Sequence, residues 1–286
     1  MRIFFIPRKF IYRKKTLNYI GNLWYDLKRT DTSVLVDFDR MRIVDYFMLS
    51  ALFAILYRTS ITKDVMVKYK ESNYRLSKIE NNNYIFSDEN KLINSFKMLA
   101  SFDKDGLRLY IREFLRKIND NEFDKVYPYV LEVFLNVQQH TSSFECCLNC
   151  CYDCADQSLY IGITNIGETM KYVLSGKLGM SFSTENEGIE WAVKVGNTTK
   201  QKNDLGGVGL SVVYDGLNNT SGFLNIISGK GWWKGEGNIL NTELDTTFPG
   251  TIVILRFNKL KMLEYSSYFY GMKDDLISLD KMMENK

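Results

Sequence analysis

The order of strand-like and helix-like segments is the feature that most constrains the fold of this chain. In the first 115 residues, short apolar or β-branched runs alternate with stretches that have helical spacing. The predicted strands are RIFFI (2–6), SVLVDF (33–38) and DVMVKY (64–69), and the predicted helices are LNYIGNLWYDLKR (17–29), DYFMLSALFAILYR (45–58) and a helical pattern across 89–101. Alternation of this kind indicates an α/β layer fold.

The second half has a different order, which indicates an α+β sandwich. A charged helical segment at 102–123 precedes a long helix, and Pro128 fits the first turn of that helix. Two strands follow (SFECCLNCCY and QSLYIGITN), then a glycine-containing loop across 166–209, the helix GLSVVYDGLNN and the strands LNIISG and GTIVILRF. We therefore predict one domain at 1–115, a second at 120–260, and a C-terminal helical tail at 261–286.

Composition places the chain among ordinary folded proteins. Its 286 residues are 45% apolar and 25% charged, enough to build a core without metals or disulfides. No apolar run approaches the roughly 20 residues that cross a bilayer. In the opening MRIFFIPRKFIYRKK, the basic residues follow the apolar ones, which is the reverse of a secretory signal. A cytoplasmic location is the default expectation.

The net charge of +3 is unevenly distributed. Residues 1–119 carry a balance of +10, and the remainder carries −7. A basic first half could face nucleic acid or an acidic partner. No aromatic and basic reading motif accompanies it, so the sequence favours a solvated surface.

Five cysteines fall within the stretch ECCLNCCYDC (145–154). The CxxC spacing is compatible with a metal site, but no second CxxC or histidine pair follows at a suitable distance. The segment also resembles a strand, where residues four apart are about 13 Å from each other and cannot share an ion. Buried free thiols are the favoured interpretation, and a metal site is the alternative.

A polar ridge interrupts the long apolar helix at LEVFLNVQQH (131–140). Glu132, Asn136 and His140, the only histidine, lie at intervals of four and therefore share one helix face. Taken alone, the pattern is weak and favours a solvated stripe on an amphipathic helix.

Three further segments follow in an order that is improbable by chance. Asn165-Ile166-Gly167 ends a predicted strand, and Thr198-Thr199-Lys200 places hydroxyls and a cation in a loop. Gly206, Gly207 and Gly209 then stand immediately before a helix. Glycines in that position let backbone N–H groups surround an anion at the positive end of the helix.

With these segments, residues 120–258 resemble the GHKL ATPase family, which includes gyrase B, heat-shock chaperone ATPases, MutL and sensor histidine kinases. Glu132, Asn136 and His140 match its N box, Asn165-Ile166-Gly167 its G1 box, Gly207-Val208-Gly209-Leu210 its G2 box, Thr198-Thr199-Lys200 its lid and Gly250-Thr251 the GT of its last strand. The resemblance implies a Bergerat-type α/β sandwich, in which a mixed sheet carries helices on one face.

The resemblance also implies a role for each matched residue. Glu132 would orient and deprotonate the attacking water, and Asn136 would supply an oxygen to Mg²⁺. His140 would lie near the phosphates or brace the lid. The other implied ATP contacts are Asn165, Gly167 and Thr251 on the adenine side and Thr198, Thr199, Lys200, Gly206, Gly207, Val208, Gly209 and Leu210 around the phosphates.

The G1 box departs from the family pattern. The family's adenine-binding aspartate is Asn165 here, and the second glycine of the box is Thr169. An amide can still accept from the adenine amine, but it lacks the charge that makes such a bond about twice as strong. We expect nucleotide binding that is weaker or less selective for adenine than is usual for the family.

The first half more loosely resembles a STAS domain, through SVLVDFDRMRIVDYFMLSALFAIL (33–56). Asp45 fits the family's Asp-Ser-Ser-Gly, but Tyr46, Phe47 and Met48 replace the last three residues. The hydroxyl that such domains offer to a GHKL kinase is missing. This departure favours a docking or structural role for the STAS-like domain.

Three functions remain open on the sequence. The favoured one is a slow Mg²⁺-dependent ATPase that acts as a nucleotide-controlled switch on a protein partner or within a homodimer. The alternatives are a serine/threonine kinase of the anti-sigma type and a non-catalytic ATP-binding module. A histidine autokinase is disfavoured because the only histidine lies inside the N box.

Overall fold

The chain is an α+β protein built on two main β-sheets. The structure, a computed structural model, describes residues 1–70, 72–76, 91–93, 96–100, 103–140, 145–197, 209–236 and 240–258. Within these ranges, no helix combines the length and the apolar character needed to cross a membrane. The predicted helical tail at 261–286 lies outside the described residues.

The N-terminal unit is a small sheet whose parallel strands are joined through helices. Its elements are β1 (Arg2–Phe5), β2 (Lys9–Phe10), α1 (Lys14–Lys28), β3 (Val34–Asp37), β4 (Ile43–Val44), α2 (Leu49–Ser60), β5 (Val65–Tyr69) and β6 (Ser72–Arg75). The sheet order is β1-β3-β5-β6, with the first three strands parallel and β6 antiparallel. Strands β2 and β4 form a separate parallel pair. Parallel neighbours require such crossovers, and α1 and α2 provide them.

Among the described residues, every strand pair of the second sheet is antiparallel. The remaining described elements are β7 (Lys91–Ile93), β8 (Lys97–Ala100), α3 (Lys104–Arg116), α4 (Phe123–His140), β9 (Glu145–Asp153), β10 (Ser158–Ile166), α5 (Met170–Leu178), α6 (Glu185–Val193), α7 (Gly209–Asn219), β11 (Phe223–Lys234) and β12 (Leu240–Asn258). The strand order is β11-β12-β10-β9, and both β7 and β8 pair with the outer edge of β9.

Both faces of the second sheet are covered, because side chains alternate between faces along each strand. Leu159, Ile161 and Ile163 of β10 pack in one core with α3, α4, α6 and α7. Cys147 of β9 and Ile254 of β12 point the other way and pack in a second core with α1 and α2. The second sheet therefore lies between a helix layer and the N-terminal unit.

The N-terminal unit approaches the second sheet closely at β10. A side chain at Gly162 would overlap the carbonyl oxygen of Phe47, which lies in the 3₁₀ turn that precedes α2. The adjacent Ser50 and Thr164 hydroxyls form a buried hydrogen bond of 3.0 Å. This contact brings α2 against the strand residue that immediately precedes Asn165.

Two sequence predictions about local structure are wrong. The predicted helical pattern across 89–101 contains strands β7 and β8, because β9 offers its free edge to these short apolar runs. The predicted loop across 166–209 contains α5 and α6, which are capped by Thr169 and Thr184. Strands β7 and β8 and helix α3, which precede the predicted division at 115–120, pack with the second sheet and its helices.

The long helix begins earlier than the sequence suggests. Helix α4 starts at Phe123, so Pro128 lies inside the helix and not in its first turn. The proline removes one backbone hydrogen bond from the helix. The other predicted helices and strands of the two units are present, with β11 and β12 longer than expected.

The cysteine stretch forms strand β9, as predicted. Cys146, Cys147, Cys150 and Cys151 are buried free thiols, and Cys154 is exposed beyond the end of the strand. Burial raises the pKa of the Cys146 and Cys150 thiols. In the described part of the chain, no three Cys, His, Asp or Glu side chains are grouped to hold a metal ion.

Candidate functional site

A row of three polar residues crosses the second sheet on the face covered by the helix layer. Asn165 of β10 is opposite Thr251 of β12, which is in turn opposite Ser228 of β11. Their exposed fractions are only 2%, 6% and 0%. The next row towards the sheet centre is wholly apolar and consists of Ile163, Val253 and Ile226. Polar groups buried in this way call for partners, because burial without them costs free energy.

Hydrogen bonds within the described residues satisfy the Ser228 hydroxyl of this row but not every polar atom in it. The hydroxyls of Ser228 and Thr251 are 2.9 Å apart. The Ser228 oxygen also accepts from the backbone N–H of Met170 at 2.8 Å and lies 3.3 Å from the carbonyl oxygen of Gly250. In contrast, the buried amide nitrogen of Asn165 has no hydrogen-bond partner among the described residues. A buried amide group of this kind calls for a hydrogen-bond partner.

The backbone around this row explains two of the motif glycines. Gly250 has a φ of +148°, and a side chain there would overlap the carbonyl oxygen of Asn165. Glycine is therefore required at the residue before Thr251. At the end of β10, the Gly167 N–H donates to the carbonyl oxygen of Pro249 at 3.0 Å, which holds the turn that follows the strand.

A second polar cluster joins α4 to the start of α7. A carboxylate oxygen of Glu132 accepts a hydrogen bond of 3.1 Å from the backbone N–H of Gly209, the first residue of α7. Glu132 is 3% exposed, and its negative charge lies at the positive end of the helix. One turn later, the side-chain NH₂ of Asn136 donates to the Glu132 carbonyl oxygen at 2.8 Å. This contact uses the nitrogen of the Asn136 amide.

Glu185, the first residue of α6, was not singled out by sequence reasoning. One of its carboxylate oxygens accepts from the Thr169 hydroxyl at 3.2 Å, and the other is buried with no partner in the described ranges. Its side chain packs against Gly229, whose φ of +57° accompanies a register shift in β11. Burial raises the pKa of Glu185 above its ordinary value.

The structure brings part of the predicted site together. Asn165 lies beside Thr251, and Glu132 contacts Gly209, while Leu210 is buried in the first turn of α7. The predicted lid (Thr198, Thr199 and Lys200), Gly206 and half of the G2 box (Gly207 and Val208) lie outside the described residues. The side chain of His140 is also outside them, although its backbone is helical.

Sequence reasoning missed Ser228 as a member of the site. The available signal was its place in the strand LNIISG, where Leu224, Ile226 and Ser228 alternate on one face and only the last is polar. Neither a protein-family model nor a curated protein matches the sequence. Function is therefore inferred from the geometry of the two polar clusters.

Proposed function

We propose that this chain is a GHKL-type nucleotide-binding protein that slowly hydrolyses MgATP and uses the nucleotide to control its conformation. The observation that carries the proposal is the placement of the two polar clusters. The row that contains Asn165 lies on the face of the second sheet that the helix layer covers, and the pair Glu132–Gly209 joins two helices of that layer. A ligand with a polar base and an anionic tail has matching groups at these two places.

The phosphate end is supported by the contact at the start of α7. The N-terminus of a helix favours anions, because its first N–H groups are unpaired and its dipole is positive there. The Glu132 carboxylate, which now accepts from Gly209, would turn to a water once a phosphate takes that N–H. In that position it would act as the general base for attack on the terminal phosphate.

The magnesium assignment fits the orientation of Asn136. Because its NH₂ donates to the Glu132 carbonyl, the amide oxygen is the atom left for a cation. Mg²⁺ prefers such oxygen ligands, and it would neutralise phosphate charge during the reaction. Asn136 and Glu132 thus divide cation binding and water activation between successive turns of α4.

The N-terminal unit is proposed to be a STAS-like docking or structural module. Its position on the opposite face of the second sheet supports this role, because it leaves the face with the two polar clusters to the helix layer. Tyr46 and Phe47, which replace the two serines of the STAS pattern, are buried in the shared core.

The test combines nucleotide binding with phosphate release. We expect Glu132→Gln to retain ATP binding by calorimetry, because the substitution keeps the size of the side chain and leaves the Gly209 N–H available to a phosphate. We expect it to lose about 10²-fold or more of the turnover, because an amide cannot act as the general base. Glu113→Ala is the matched control, since Glu113 is an exposed acid on α3. Absence of ATP binding in the wild type, or unchanged turnover in Glu132→Gln, would refute the proposal.

Further outcomes of the same assay separate the alternatives. Transfer of the γ-phosphoryl group to a second protein, with little free phosphate, would favour the anti-sigma type of kinase. ATP binding with no turnover in the wild type would favour a non-catalytic module.

A further inference from the structure

Each side chain of the polar row can either donate or accept a hydrogen bond, so none of them fixes which role a ligand must take. Asn165 carries an acceptor and two donors on one amide, and rotation of that amide by half a turn exchanges them. Its amide nitrogen is without a partner in the described part of the chain, so no neighbouring residue locks the amide in one orientation there. An aspartate in the same place would only accept.

The hydroxyl pair beside Asn165 is reversible for a different reason. Ser228 has one hydrogen and two possible acceptors, the Thr251 oxygen at 2.9 Å and the Gly250 carbonyl oxygen at 3.3 Å. If Ser228 donates to Thr251, the hydrogen of Thr251 is available to a ligand acceptor. If Ser228 donates to Gly250, Thr251 donates to Ser228 and keeps its lone pairs for a ligand donor. In both arrangements the Met170 N–H remains paired with Ser228.

We infer that the site accepts 6-oxopurine nucleotides as readily as adenine nucleotides, an inference that rests on the proposed nucleotide-binding function. Adenine presents a donor at its 6-amino group and an acceptor at N1, whereas a 6-oxopurine presents the reverse. A site with fixed polarity rejects the reversed edge strongly, because buried groups are left unpaired. Here the Asn165 amide and the Thr251–Ser228 pair can both exchange a hydrogen-bond donor for an acceptor towards the ligand, and neither carries a charge.

The experiment compares ADP with inosine diphosphate in Mg²⁺ by calorimetry on the full chain. Inosine diphosphate reverses the 6-position and N1 without adding the 2-amino group of guanine, so it tests polarity alone. We expect the two dissociation constants to agree within about threefold. In Asn165→Asp, ADP should be preferred by at least about tenfold, because the 6-oxygen would face a carboxylate that can only accept.

Two further variants keep the test decisive. Thr164→Val is the matched control, because Thr164 immediately precedes Asn165 in β10 but faces Ser50 on the opposite side of the sheet. The ratio of the two dissociation constants should be the same in this variant as in the wild type. Thr251→Val removes a reversible group and should weaken both ligands by a similar factor, which provides a test even if Asn165→Asp does not fold.

The results separate this inference from the proposed function. A wild type that prefers ADP by about tenfold or more would overturn the inference while leaving nucleotide binding intact. An unchanged ADP preference in a folded Asn165→Asp variant would do the same. A wild type that binds neither ligand would instead refute the proposed function.

Discussion

Replacement of Gly162 by alanine should separate the N-terminal unit from the second sheet. The new methyl group would overlap the carbonyl oxygen of Phe47, a backbone atom that cannot move away by a rotamer change, and would lie 2.6 Å from the Ser50 hydroxyl. The 3₁₀ turn before α2 must therefore retreat from β10. Overpacking of this kind costs about 1–3 kcal/mol, and loss of the Ser50–Thr164 hydrogen bond adds about 1 kcal/mol.

The assay is thermal unfolding followed by circular dichroism. A loss of about 2–4 kcal/mol in the free energy of unfolding corresponds to a decrease in Tm of roughly 3–7 °C for a chain of this size. Gly176→Ala is the matched control, because a methyl at that position in α5 meets no atom within 4 Å and should stabilise the helix by about 0.5–1 kcal/mol. A Gly162→Ala variant with the Tm of the wild type would refute the proposed close packing of the two units.

Two further predictions concern thiol reactivity and pH. A thiol reagent should modify only Cys154 in the native chain and all five cysteines after unfolding. If a native Cys154→Ser variant still reacted rapidly with the reagent, that result would contradict the burial of the other four thiols. The hydrogen bond from Lys14 lowers the pKa of Asp245. This contact should therefore stabilise the fold at pH values above the ordinary aspartate pKa of about 4. Its stabilising effect should be lost as the pH falls through the lower pKa that Asp245 has in the folded chain. The difference in denaturation midpoint between the wild type and Lys14→Ala should therefore be present at neutral pH and disappear in acid, whereas a constant difference would argue against the contact.

The sequence predicts a helix or strand correctly where the pattern of the element's own residues favours one structure. Helix α2 contains the apolar run ALFAILY, and strand β10 is rich in isoleucine and other residues that favour strands. The two helices within 166–209 also had local signals that were not used. Thr169 caps α5 and Gly179 ends it with a φ of +65°, while Thr184 caps α6 by accepting from the Glu187 N–H.

Other features depend on residues far apart in the chain. The runs that form β7 and β8 are short enough to suit helix or strand, and the free edge of β9 decides between them. Likewise, the polarity of Ser228 is visible in the sequence, but its bond to Thr251 follows only from the pairing of β11 with β12. The same holds for Glu132 and Gly209, which are 77 residues apart.

Strand β10 has no side that faces water along most of its length, since helices cover one surface and the N-terminal unit covers the other. Its even-numbered and odd-numbered residues thus belong to different environments. A single-residue insertion or deletion in this strand would exchange the two sets, moving Thr164 into the place of Asn165 and turning isoleucines towards the wrong core. We expect β10 to tolerate conservative substitutions at many positions and changes in length at none.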